Sequence, residues 1–269
     1  MAETTDAPQP MKDKLIIENA DLQEFFKIMR DNSQTANDLI AVVREIGAME
    51  KYLESAVNEL STIRLQLAEM QEKNDPLQNL LSNAANATQK QVLSIRDSLT
   101  ELKNNFVACC KNAADAFKET GISALDNVAK FFNIKPTLEA LRDNLDKGIQ
   151  LNDKVITKIE TASTEYHEAS KHIKNIGRAL IGKEPIQEAK PIGKVAKALT
   201  APYRAENARL TAMKGCTVKA INSLSRLEER AEKPSITGTI QKYAEQIAQA
   251  KTETPAPTVA LPPQSHADR

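Results

Sequence analysis

The sequence predicts an all-α fold, an elongated helical bundle or antiparallel coiled coil of long helices with disordered termini. Three observations predict it. Hydrophobic residues make up 41 % of the 269, yet Trp is absent and aromatics are only 4 %, so Ala, Leu and Ile carry the apolar weight. Such residues suit helices, whereas sheets favour β-branched and aromatic side chains. Eight Gly in the whole chain leave few positions for tight hairpin turns. Long segments repeat apolar residues at alternating steps of three and four, the spacing of a helix face that meets a partner.

Taken in order, residues 1–18 are expected to be a disordered start, with Pro8 and Pro10 in polar surroundings. Asn19 suits the N-cap of a short helix running to about Arg30, with Leu22, Phe25, Phe26 and Met29 on one face. Asp31 to Thr35 reads as a turn. The first long seam then runs through Leu39, Val42, Ile46, Met49, Leu53, Ala56, Leu60, Ile63, Leu67 and Met70. Its 3.5-residue period is that of a left-handed coiled coil. At its flanks Glu59 and Arg64 can pair across the seam, while Glu45 and Glu50 would repel.

Asp75-Pro76 stops one helix and starts the next, since Asp caps and Pro suits the first helical position. The stripe Leu77, Leu81, Ala84, Thr88, Val92, Ile95, Leu99, Leu102, Phe106, Cys110, Ala113 and Phe117 follows at a mean spacing near 3.6. A break near Gly121 and an end at Asn133 to Pro136 are expected. The third long helix carries Leu138, Leu141, Leu145, Gly148, Asn152, Val155, Ile159, Ala162, Tyr166, Ala169, Ile173, Ile176 and Leu180, again in strict 3-4 steps. Its length would be roughly 65 Å at 1.5 Å per residue. Gly148 and Asn152 either sit in this seam, where a buried Asn fixes register, or yield locally to Ile149 and Ile156.

Domain organisation follows from these segments. Residues 19–182 form the long-helix domain, and 183–202 a basic linker with three Pro and one Gly that has room for one short helix. Residues 203–250 hold C-terminal helices, one through Leu210, Met213, Ile221, Leu224 and Leu227 and a short one after Pro234. Ile236, Ile240, Tyr243 and Ile247 share a face of the latter that can dock into a partner groove. Residues 251–269, rich in Pro, are expected to be a disordered tail.

Chemistry-bearing motifs are sparse. Lys plus Arg and Asp plus Glu number 36 each, so no global field steers the chain toward nucleic acid or membranes. The N-terminus is not a signal peptide, and no uncharged apolar run reaches the ~18 residues that span a bilayer. Cytoplasmic localisation is therefore the expectation. Cys109, Cys110 and Cys216 form neither a disulfide framework nor a CxxC motif. There is no P-loop and no Gly-rich dinucleotide fingerprint. His167-Glu168 and His172 approximate a zincin, but the second His comes five residues on rather than four, turning the rings apart on the helix. Glu168 and His172 do share a face, as a solvated ion pair. No catalytic residue, cofactor or metal is expected, and nucleic acid is not an expected partner, because stacking platforms need aromatics. The basic stretch Lys183, Lys190, Lys194, Lys197 and Arg204, continuing to Lys219, is the one patch that could meet an anionic membrane surface.

The runs MEKYLESAVNELSTIRLQLAEM (49–70), NFVACCKNAADAFKETG (105–121) and YHEASKHIKNIGRALIGK (166–183) together resemble an uncharacterised domain-of-unknown-function family of helical proteins. That family is encoded on mobile and conjugative elements of Gram-positive bacteria. The resemblance covers roughly residues 15–250 and is most specific in HIKNIGRALIGK. It implies no activity, cofactor or catalytic residue, only a setting in the bacterial cytoplasm among a mobile element's accessory genes.

The expected function is therefore a non-catalytic helical scaffold or adaptor that meets a protein partner, or a second copy of itself, through its seams. The alternative is a peripheral membrane protein using the basic linker, and the third reading is an enzyme with an unfamiliar site. Whether the heptads pair within a chain or between chains is left open by their pattern.

Overall fold

The computed structural model of the protein describes residues 15–29, 33–69, 76–120, 133–186 and 193–232. The described secondary structure is helical throughout. A 3-10 turn, Ile16–Glu18, precedes α1 (Ala20–Ile28), α2 (Ser33–Glu69), α3 (Pro76–Thr120), α4 (Lys135–Leu180) and α5 (Lys194–Glu232).

Local chemistry explains several of the helix ends. The Asn19 side chain accepts a hydrogen bond from the Leu22 amide at 3.2 Å, satisfying one of the open donors at the start of α1. Pro76 is the first residue of α3 and Pro136 lies in the first turn of α4, where a missing N–H costs nothing. The C-terminus of α4 closes in a Schellman turn. Gly182 takes φ 67°, its amide donates to Ala179 O, and the Lys183 amide donates to Arg178 O at 2.9 Å. The positive φ is why Gly stands there.

The four long helices close into one antiparallel ring, which their polar side-chain pairs trace. Between α2 and α3, Glu50 meets Lys103 and Arg64 meets Gln89. Between α3 and α4, Thr88 meets Asn152 and Gln91 meets Asn144. Between α4 and α5, Lys135, Asp146 and Glu160 meet Glu228, Lys214 and Arg204. Between α5 and α2, Arg209, Thr217 and Arg226 meet Glu59, Met49 and Asp38. In every pair of helices the number falls on one as it rises on the other, so each neighbour runs antiparallel. Helices of this length joined in up-down-up-down order bury one seam each toward a common axis.

That axis is filled by the predicted seams. Leu39, Val42, Ile46, Met49, Leu53, Leu60 and Ile63 of α2 are buried, as are Leu138, Leu141, Leu145, Val155 and Ile159 of α4. The side chain of Leu67 lies outside the described residues. Gly148 and Asn152 both face the core, so the seam runs through them; Ile156 is buried beside them, but Ile149 is only half-buried and does not displace them. At Gly148 side chains of both α3 and α5 press against α4: an added Cβ would stand 2.9 Å from Leu210 Cδ1 and 3.2 Å from Gln91 Cγ. The 3-10 turn and α1 cover the other end, where Ile16, Leu22, Phe25 and Met29 are buried and α1 lies along α3.

Two expectations are corrected. Residues 194–202 are not linker: they form the first turns of α5, so the helix starts nine residues before Tyr203 and contains Pro202. Pro202 cannot donate to the carbonyl four residues back, and two residues earlier Thr200 Oγ1 donates to Ala196 O at 2.9 Å. Second, residues 203–228 are no separate C-terminal element, because α5 is the fourth wall of the bundle. Residues 1–228 form one compact unit and 229–269 another. The buried stripe of α5 runs Tyr203, Glu206, Leu210, Met213, Thr217, Ala220, Leu224 and Leu227, so Ala220 rather than Ile221 lies at its centre. The 1–18 and 251–269 segments and the Ile236, Ile240, Tyr243 and Ile247 face fall wholly or mostly outside the described residues.

Candidate functional site

Two features of the bundle stand apart from its apolar core, one inside it and one at its end. The inner one is a polar belt at a single level of the ring. Arg64 on α2 bonds Gln89 on α3, and the adjacent Thr88 donates to Asn152 Oδ1 on α4 at 3.2 Å. The adjacent Asp153 accepts from Asn207 on α5 at 2.6 Å, and Arg209 returns to Glu59 on α2 at 3.1 Å. All four helices are thus tied once around. Glu206 sits inside the belt, 1 % exposed, with Arg209 Nη1 at 3.8 Å. Burial pushes its carboxyl up to about 7; Arg209 opposes this and Glu59 adds to it. Tyr203, one turn away and equally buried, has its hydroxyl pushed up to about 12 by burial.

Polar groups at seam positions cost stability but penalise registers that would leave them unpaired, so the belt fixes how the four helices align. The spacing along α5 carries the signal for this: Tyr203, Glu206 and Leu210 follow the same 3-4 steps as the apolar seams. Glu45 and Glu50 do not repel one another, because they face different helices. Glu50 is buried, 2.9 Å from Lys103 Nζ, and accepts the Ile16 amide at 2.9 Å. Glu45 lies beside Cys216, whose thiol burial and that carboxylate push up to about 11. Burial also drives the Cys110 thiol well above its ordinary value, with Cys109 adding to it. Neither is poised as a nucleophile, since the thiolate is the reactive form.

The histidines of α4 do not converge. Among the described residues no group of three or more His, Cys, Asp and Glu could hold a metal ion. Glu168 pairs with Lys171 at 3.6 Å rather than with His172. His167 is half-buried against the start of α5, where a Cβ on Gly193 would stand 2.6 Å from its Nε2. Of the basic patch, Lys183 and Lys197 are exposed, while Arg204 is engaged with Glu160 at 2.5 Å. Lys190 and the Lys194 side chain lie outside the described residues, and no described helix is long and apolar enough to cross a membrane.

The outer feature is the last four turns of α4. Its seam continues in unbroken heptad steps past Ile159, but the neighbouring helices do not. Helix α3 starts twelve residues before Thr88, which matches twelve residues beyond Asn152, at Thr164. Gly193, just before α5, lies against His167. Beyond that level the seam is uncovered: Tyr166 is 74 % exposed, Ile173 70 %, Ile176 64 % and Leu180 82 %. These four seam positions, expected to be buried, are a correction with a plain cause, the earlier ends of α3 and α5. The overhang is nevertheless tied down. After the Schellman turn the chain doubles back, Asn175 exchanges two hydrogen bonds with the Ile186 backbone, and Arg178 Nε donates to Glu184 O at 2.7 Å. Asn175 and Arg178 lie off the apolar stripe, so the returning chain leaves it open.

Residues 18–260 match a family of unknown function (DUF6674). No curated protein and no solved structure matches the chain.

Proposed function

The chain belongs to that family, and from this premise we propose that it is a non-catalytic helical scaffold, an adaptor that binds protein through the uncovered stripe of α4. The observation that carries this reading is the contrast along one helix. Up to Ile159 the seam is buried; from Tyr166 to Leu180 the same pattern of apolar side chains, on a capped and tethered helix, faces outward. Apolar side chains aligned in a stripe, rather than scattered singly, mark surfaces that gain by burial against another polypeptide. The polar belt supports the reading by holding the bundle in one register, which gives the overhang a rigid base.

Tagged wild-type chain and the double variant Ile173→Asp/Ile176→Asp, recovered from native cells, provide the test. The wild type should bring down protein that the variant loses, while both melt at the same temperature. Identical recovery from the two would remove the stripe as the working surface. The finer setting, an accessory protein of a bacterial mobile element acting in the cytoplasm, draws its support from the sequence resemblance. Deleting the gene should then change the element's transfer frequency, and an unchanged frequency removes that setting.

A further inference from the structure

We propose that the first turns of α5, Lys194 to Tyr203, are a pH-sensitive latch that docks while Glu206 is protonated and releases when it ionises. The latch is independent of what the α4 stripe binds.

One guanidinium stands between two carboxyl groups. Arg209 Nη2 donates to Glu59 Oε2 on α2 at 3.1 Å, and its Nη1 lies 3.8 Å from Glu206 Oε2 on its own helix. With Glu206 neutral, Arg209 and Glu59 cancel and this contact of α5 with α2 carries no net charge. With Glu206 ionised, two negative charges share one positive, and one is left uncompensated inside the ring. Glu206 is fully buried, and neither of its carboxyl oxygens has a hydrogen-bond partner among the described residues. Ionising such a group is costly, and reaching water relieves the cost.

The surrounding helices bring no free cation to this level. On α2, Arg64 is engaged with Gln89; on α3, Thr88 and Gln89 are uncharged. On α4, Asp153 adds a negative charge and bonds Asn207, Glu160 holds Arg204, and Lys154 and Lys158 are exposed. The buried Tyr203 hydroxyl and Asn152 amide nitrogen bond neither carboxyl oxygen.

The way to water is the N-terminal part of α5. Pro202, about one turn before Glu206, has no N–H for the Ala198 carbonyl, so the helix ladder is weakened there. The turns before it bury small side chains, Ala196 and Thr200, which hold them to the bundle with little apolar area. Tyr203 is their large anchor, and its hydroxyl is unpaired. Across from them lies α4 between Glu160, which holds Arg204, and His167, which lies against Gly193. Release would hydrate Glu206 and uncover that stretch of α4, next to the open stripe that begins at Tyr166.

Hydrogen exchange of the full chain, corrected for the intrinsic pH dependence of amide exchange, tests the latch. Peptides from 194–205 should exchange through an opening smaller than global unfolding, faster than those from 214–228 and insensitive to low urea. Burial holds the docked carboxyl near 7, so docking is complete at low pH and is lost as pH rises through that value. The corrected rate of 194–205 should therefore rise about tenfold from pH 6 to pH 8. Glu206→Gln should remove the rise, and Glu59→Gln should blunt it, because Arg209 is then free to neutralise an ionised Glu206. His167→Gln, at the far end of the latch, should keep the wild-type response. A segment that opens only with the whole bundle, or a rate that ignores pH, overturns the latch. So does a rise that survives in Glu206→Gln, is undiminished in Glu59→Gln, or is lost in His167→Gln.

Discussion

Ile159→Asp is expected to abolish cooperative unfolding at room temperature, whereas Ile173→Asp should melt like wild type. The two residues are fourteen apart on α4, occupy the same heptad position and carry the same side chain. They differ in what covers them: Ile159 is 1 % exposed and Ile173 70 %. An aspartate at 159 loses the burial of an Ile and gains a carboxylate with no buried partner. Together these cost roughly 5 kcal/mol or more, which approaches the whole stability of a typical domain. An exposed substitution usually stays within about 0.5 kcal/mol, a shift of about 2 °C or less in a chain this size. Far-ultraviolet circular dichroism against temperature, in dilute solution, reads both. Leu60→Asp, buried on α2, should behave as Ile159→Asp does. Equal loss at 159 and 173 would mean the overhang is covered after all; equal tolerance would remove Ile159 from the core.

The buried carboxyl of Glu206 should make the protein more stable at pH 6 than at pH 8, and Glu206→Gln should erase that difference. Burial holds the native carboxyl near 7, above its ordinary 4.5, so the folded state binds this proton more tightly than the unfolded chain does. The stability that follows is fully present below the unfolded value and is lost as pH rises through the folded one. Between pH 6 and 8 the loss is about 1 kcal/mol. Glutamine keeps the shape without the charge and leaves Arg209 its partner Glu59, so the variant should also exceed wild type at pH 8. Urea midpoints of both proteins at the two pH values measure this. A wild-type slope that survives in Glu206→Gln would assign the effect to another group.

The fold and the candidate site were legible to different depths. Periodicity alone located α2, α3 and α4, because a stripe of apolar residues at 3-4 spacing requires only local geometry. Asn19 and Pro76 marked ends for equally local reasons, a side-chain acceptor and a missing donor, whereas the left-handed turn at Gly182 emerged only in the structure. The start of α5 was missed because Pro191, Gly193 and Pro202 suggested a linker, and tertiary packing of Ala196, Thr200 and Tyr203 outweighed that local preference.

The sequence by itself determined that the chain is helical, which face of each helix is apolar, and that α4 carries one seam from Leu138 to Leu180. Only the tertiary structure decided that α5 closes the ring against α2, that Glu206 is inside it, and that the seam is buried to Ile159 and open from Tyr166. The physical reason is that a period reports which side chains would gain by leaving water. Whether they do leave it depends on where the neighbouring helices begin and end, and no residue of α4 records that.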